Sequence, residues 1–244
     1  MERLKQIYSL IHKKLENYPH ILKEIDYYRT VDYKKWTNND FFETMCEVIF
    51  YSNLPRETIN HKLPAIKGAF SNFDIDKVAG YTSKDIRRLK RTPEIIHHVG
   101  RIKATVKNAK EFQKIIKEYG LFLSYLDSFI GIKNFNGLIT DLVERFDYIG
   151  WINVYDFLKE MCLPFIKPDR NIRRVFYRLG LTKSDKETDE IISACQEIGK
   201  LMGETVNERM CIVNCVLWYY GHYICMKRKP LCNECNLTTF CQYM

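Results

Sequence analysis

Apolar positions along this chain recur at three- and four-residue intervals, whereas the alternating apolar–polar runs of a half-buried strand are short and rare. The stretch DFFETMCEVIFYSNL (40–54) carries its apolar residues at helical spacing, after the cap-type Asn39 and Asp40. PEIIHHVGRIKATVKNAKEFQKIIKEYG (93–120) opens on a proline and closes on a glycine, which predicts a helix or a helix pair. SDKETDEIISACQEIGKLMG (184–203) offers a cap at Ser184, acids in its first turns and a terminal glycine. VNERMCIVNCVLWYYGHYIC (206–225) reads as a largely buried helix. The pattern predicts an all-α fold, and no internal repeat or low-complexity tract interrupts it.

A length of 244 residues fits one large domain or two small ones and can bury real cores. With 46% hydrophobic and 14% aromatic residues, the chain is globular rather than disordered. No apolar run reaches 18 residues, so no membrane-spanning helix is expected. MERLKQIYSLIHKKLENYPH is charged throughout and lacks the apolar centre of a secretory signal, which predicts an intracellular (cytoplasmic or nucleoid) protein. A formal charge of +8 suits a polyanion such as nucleic acid.

Nine cysteines in a chain with no export signal argue against a disulfide scaffold. Cys46, Cys162, Cys195, Cys211 and Cys215 are scattered and are expected as small core hydrophobes. The other four sit in CMKRKPLCNECNLTTFC (225–241), spaced C-x6-C-x2-C-x5-C. Four thiolates suit zinc or an iron–sulfur cluster. There is one C-x2-C knuckle where a zinc site usually has two, and the unequal gaps suit the corners of a cubane better than a single ion. Free thiols at such density oxidise, so an unligated loop is the poorest of the three readings.

GHYICMKRKPLCNECNLTTFC resembles the C-terminal loop of the endonuclease III branch of the helix-hairpin-helix DNA glycosylases, including Pro230 before the second cysteine. The resemblance implies a [4Fe–4S] cluster on Cys225, Cys232, Cys235 and Cys241, with Lys227, Arg228 and Lys229 presented to DNA phosphates. Upstream, FDYIGWINVYDFLKEMCLPFIKPDRNIRRVFYRLGL (146–181) resembles the same family in order and register. Tyr148-Ile149-Gly150-Trp151 matches the DNA-holding hairpin turn, with Tyr148 where the family has its first glycine. Asp169 falls at the position of the catalytic aspartate, and it also precedes a plausible helix as an N-cap would. Relatives that cleave the strand carry a lysine two residues after the second glycine. Here that residue is Ile152, and Lys159 and Lys167 are out of register, so the resemblance implies a monofunctional glycosylase.

TPEIIHHVGRIKATVKNAKEF (92–112) and FDYIGWINVYDFLKEM (146–161) resemble 3-methyladenine DNA glycosylase I instead. By that resemblance Glu47 would read an alkylated purine, and Asn53 or Leu54 in the turn Ser52–Pro55 would wedge into the base stack. The expected architecture is all-α with two lobes, a helical lobe over 34–165 and a cluster lobe of 1–33 plus 166–244. The DNA cleft would lie between them, with a lesion in double-stranded DNA as partner and a monomeric enzyme. The excised base stays open between an alkylated adenine and a uracil-type deaminated base. A non-catalytic iron–sulfur module that binds nucleic acid, and a zinc-bound structural protein, are the rival readings.

Overall fold

A computed structural model describes residues 1–243. The fold is all-α, and among the described residues no strand interrupts the helices. In chain order these are α1 (Glu2–Leu15), α2 (Pro19–Thr30), α3 (Asn38–Tyr51), α4 (Arg56–Ala69), α5 (Ile75–Ala79), α6 (Ser83–Leu89) and α7 (Val99–Tyr119). They continue with α8 (Phe122–Ile130), α9 (Phe135–Arg145), α10 (Asn153–Glu160), α11 (Arg170–Arg178), α12 (Asp189–Val206) and α13 (Met210–Tyr223). No helix among the described residues is long and apolar enough to cross a membrane.

The helices gather into two compact units: residues 33–157, and residues 1–32 together with the chain from Leu158 onward. The 33–157 unit is built on phenylalanine. Phe41, Phe42, Phe112 and Phe122 are fully buried, and the Phe112 and Phe122 rings stack at 4.4 Å. Such rings each bury a large apolar area and add a geometric preference of about 1 kcal/mol per well-placed pair. In the other unit α13 is buried on nearly all sides, with Val213, Val216 and Leu217 fully enclosed, and α1, α2, α11 and α12 pack around it.

Helix starts differ from the sequence expectation where a nearby residue caps better. α3 begins at Asn38 because Thr37 and Asp40 form a reciprocal capping box, rather than at a cap on Asn39 or Asp40. α7 begins only after His98, whose imidazole accepts from the Arg101 amide, so residues 93–98 are not helical. Ser184 caps no helix: its hydroxyl closes a local turn by accepting from the Lys186 amide, and α12 starts after Thr188. α12 also runs past Gly203 to a left-handed Asn207. Cys162 and Cys211, expected as separate core thiols, are joined as a disulfide with Cα atoms 5.2 Å apart. Cys46, Cys195 and Cys215 are buried free thiols, and burial pushes the Cys195 thiol up to about 12.

Candidate active site

The hairpin joins α9 to α10. Phe146 and Ile149 are buried and anchor the turn, while Tyr148, Gly150 and Trp151 are exposed. Asn108, fully buried on α7, grips the turn twice: its Oδ1 accepts from the Asp147 amide and its Nδ2 donates to the Asp147 carbonyl, both at 2.9 Å. Tyr148 adopts φ +67°, the left-handed conformation that glycine takes without a Cβ clash. Its ring meets His98 edge-on, and its hydroxyl lies over Gly100, where any Cβ would come within 2.1 Å of it. The amides of Gly150, Trp151 and Ile152 precede α10 and meet no backbone acceptor among the described residues. A Cβ added at Gly150 would meet nothing within 4 Å. Open amides at a helix start, with free space over a glycine, suit a phosphate oxygen.

The turn carrying Asn53 and Leu54 lies in the same unit and is held to the hairpin. Asn153, the first residue of α10, donates from Nδ2 to the Tyr148 carbonyl (2.9 Å) and to the Ser52 hydroxyl (3.0 Å). Arg101, only 5% exposed, donates from Nη1 to the Phe50 carbonyl (2.6 Å) and from Nη2 to the Ser52 carbonyl. Its Nε is buried without a hydrogen-bond partner. Burial lowers the Arg101 pKa and the neighbouring Tyr148 opposes that shift. The guanidinium sits at the C-terminus of α3, where exposed carbonyls concentrate partial negative charge. Asn53, at φ +55°, is exposed in this turn.

Glu47 lies one turn before the end of α3 and is half-buried. Its carboxylate is 3.1 Å from Lys67 Nζ, and Lys67 also pairs with Glu43. Burial works to lower the Lys67 pKa, but the bond to Glu43 and the charge of Glu47 outweigh it and raise it. A base amine approaching Glu47 would therefore compete with an ammonium.

Asp169 starts α11 in the second unit. Oδ1 accepts from the amides of Asn171 (2.8 Å) and Ile172 (3.1 Å), and Oδ2 accepts from the Trp218 indole N–H (2.8 Å). The turn before it is fixed by Arg173, which donates to the Pro168 carbonyl at 2.6 Å and to the Asp185 carbonyl at 3.0 Å. Farther along α11, Arg174 and Arg178 support the cysteine loop. Arg174 donates to the Cys225 carbonyl (2.7 Å), and Arg178 donates to the Met226 carbonyl (2.8 Å) and to Cys225 Sγ (3.3 Å). The helix that holds Asp169 at one end thus carries the loop on its flank.

Three of the four loop sulfurs already have polar neighbours. Besides Arg178 at Cys225, the Tyr220 hydroxyl lies 3.1 Å from Cys235 Sγ, the Leu237 amide donates to the same sulfur, and the Tyr243 amide donates to Cys241 Sγ. Burial raises the Cys225 pKa and Arg178 counters it. Among the described residues no group of three or more His, Cys, Asp or Glu is gathered as one metal ion would need. A cubane spreads its ligands more widely. For it the relevant fit is the donor chemistry, four thiols in 17 residues with N–H groups aimed at sulfur, and that fits. Lys227, Arg228 and Lys229 are exposed on the same loop.

An all-helical chain with this hairpin has the make-up of the helix-hairpin-helix DNA glycosylase superfamily. A family model described as Methyladenine glycosylase matches residues 22–145, just over half of the chain, and the chain belongs to that family. A DNA-3-methyladenine glycosylase of Haemophilus influenzae is 29% identical over 119 residues, covering 46% of this chain and 64% of that protein. An endonuclease III of Synechocystis is 37% identical over 73 residues, 30% of each chain. The match thus spans less than two thirds of either relative. The 8-oxoguanine glycosylase/lyase of Methanocaldococcus jannaschii, solved with DNA containing 8-oxoguanine, superposes with a TM-score of 0.62 at 18% identity, covering 88% of this chain and 96% of that one. At that identity the likeness is one of fold.

Sequence reading missed Arg101, Asn108, Asn153 and Trp218. Arg101 and Asn108 sit on the inner face of α7 among apolar residues, where periodicity alone reads the helix as amphipathic and gives no notice of a buried cation. Trp218 lies in a helix apolar on all sides, so nothing distinguishes it from core.

Proposed function

We propose that this protein is a monofunctional DNA glycosylase of base excision repair. It binds double-stranded DNA containing a lesion and hydrolyses the N-glycosidic bond of one flipped-out base. The observation that carries the reading is Asp169: a carboxylate fixed by three N–H donors at a helix start. Departure of the base leaves an oxocarbenium-like sugar, and a fixed carboxylate both stabilises that charge and orients or deprotonates the attacking water. The open amides of Gly150–Ile152 hold a backbone phosphate, and Lys227, Arg228 and Lys229 add phosphate contacts. Asn53 and Leu54 fill the gap left in the stack.

Ile152 supplies no nucleophile where strand-cleaving relatives have lysine. Lys159 is buried, donating to the Tyr28 hydroxyl (2.7 Å) and to Glu160 (2.5 Å), and so is not available for a Schiff base. Cys225, Cys232, Cys235 and Cys241 would hold a [4Fe–4S] cluster, which would brace the basic loop on α11. Family membership supports an alkylated adenine as the base, with Glu47 reading it after release from Lys67. A uracil-type base is the second reading, favoured by the fully supported Asp169, since a neutral leaving group needs more catalysis than a cationic one.

The test is a set of duplex oligonucleotides, each with one lesion: alkylated adenine, uracil, thymine opposite guanine, hypoxanthine or 8-oxoguanine. Strand cleavage seen only after hot alkali supports base removal without lyase action. Cleavage without alkali would overturn the monofunctional reading. Binding without cleavage in any lane would replace the enzyme with a binding module.

A further inference from the structure

We infer that Trp218 is a positioning residue for Asp169: its indole N–H fixes the second carboxylate oxygen and so sets where the remaining lone pair points. This rests on the reading of Asp169 given above. An aspartate that starts a helix has one oxygen held by the first amides, as Oδ1 is here by Asn171 and Ile172. An ordinary cap does nothing to the other oxygen. Here Oδ2 takes the indole N–H at 2.8 Å. Indole nitrogen can only donate, so Oδ2 stays an acceptor and keeps room for one further donor, such as a water.

The indole is itself held. It stacks on His222 with ring centroids 4.8 Å apart and planes 10° from parallel, and meets Tyr219 edge-on at 5.1 Å. Its helix is locked against α11 at Gly221, where an added Cβ would lie 3.1 Å from both the Cβ and the carbonyl oxygen of Asn171. Arg174 ties the same point from the other side, donating from Nη2 to the Gly221 carbonyl and to Asn171 Oδ1, each at 2.7 Å. Donor and acceptor therefore ride on two helices that cannot slide past each other. A carboxylate torsion is otherwise broad, and small misplacements of a catalytic group are costly in rate.

Trp218→Phe keeps an aromatic ring but removes the pyrrole half of the indole together with its N–H. We expect single-turnover excision to fall about tenfold with DNA affinity unchanged, while the smaller ring lowers Tm modestly. In an Asp169→Asn background the same change should cost nothing further, because the two residues act as one unit. Wild-type excision by Trp218→Phe, or the same loss in both backgrounds, would reduce Trp218 to packing. Wild-type excision by Asp169→Asn would instead remove the Asp169 reading, and this inference with it. Should Trp218→Phe not fold, the indole N–H resonances decide. With three tryptophans in the chain, one should move strongly in Asp169→Asn; three unmoved resonances would overturn the proposal.

Discussion

At the hairpin, side chains grip the backbone; at Asp169, the backbone grips a side chain. In the 33–157 unit Arg101, Asn108 and Asn153 satisfy carbonyls and one amide of the hairpin and of the Ser52–Pro55 turn, and the amides of Gly150–Ile152 meet no backbone acceptor among the described residues. In the other unit two helix-start amides and an indole N–H converge on one carboxylate. The first arrangement makes a rigid donor surface of no particular sequence, which suits a phosphate shared by every nucleotide. The second makes one oriented acceptor, which suits chemistry at a single atom. Changes at the hairpin should therefore move affinity, and changes around Asp169 should move rate.

The comparison can be broken most forcefully at the cysteine loop, because that loop rests on the helix that carries Asp169. On the proposed [4Fe–4S] reading, replacing Cys235 with alanine should abolish the brown absorbance expected of the wild type and leave the protein largely insoluble or several kcal/mol less stable, since a structural metal centre contributes folding energy directly. A colourless wild-type protein loaded with zinc would contradict the cluster while leaving a structural role for the loop. Next in size is Arg101→Met. It leaves the Phe50 and Ser52 carbonyls without their buried donor, at about 1–3 kcal/mol for each unsatisfied group. The relief of an unpaired buried charge offsets part of this. The expected outcome is a Tm lower by roughly 4–8 °C and weaker base flipping, read with a fluorescent base analogue beside the lesion. A higher Tm would show that guanidinium desolvation outweighs its two hydrogen bonds.

Gly150→Ala sharpens the contrast by separating function from folding. Open space surrounds the site and its φ is not left-handed, so Tm should hold or rise slightly. A methyl group over the open amides should weaken DNA binding about tenfold, a loss of roughly 1.4 kcal/mol. Unchanged affinity would mean that the phosphate lies elsewhere. The smallest effect belongs to Lys227→Ala: affinity should fall for every sequence alike, and the slope of log K against log salt should drop by about one. An unaltered slope would take Lys227 off the DNA.

The cysteine spacing, the hairpin register and the Asp169 position were legible because each depends on local order along the chain. Of the two roles expected of Asp169, cap and catalyst, the structure shows the cap. Helix starts were less legible. Thr37 and Thr188 cap where Asn39, Asp40 and Ser184 were expected, since several cap-type residues crowd each start and tertiary packing chooses among them. Arg101 and Trp218 were not legible at all. Their importance lies in what faces them across the fold, 49 residues away in each case: the Ser52 carbonyl for Arg101 and the Asp169 carboxylate for Trp218. The Cys162–Cys211 pairing was hidden for the same reason, because 49 residues separate the two sulfurs along the chain.

The most direct test of the central claim is single-turnover base release by wild type and Asp169→Asn on the lesion that responds, with DNA affinity measured alongside. The account predicts a loss of at least about a hundredfold in rate, in line with removal of a general base or charge-stabilising group, with binding intact. Equal rates for the two proteins would contradict it.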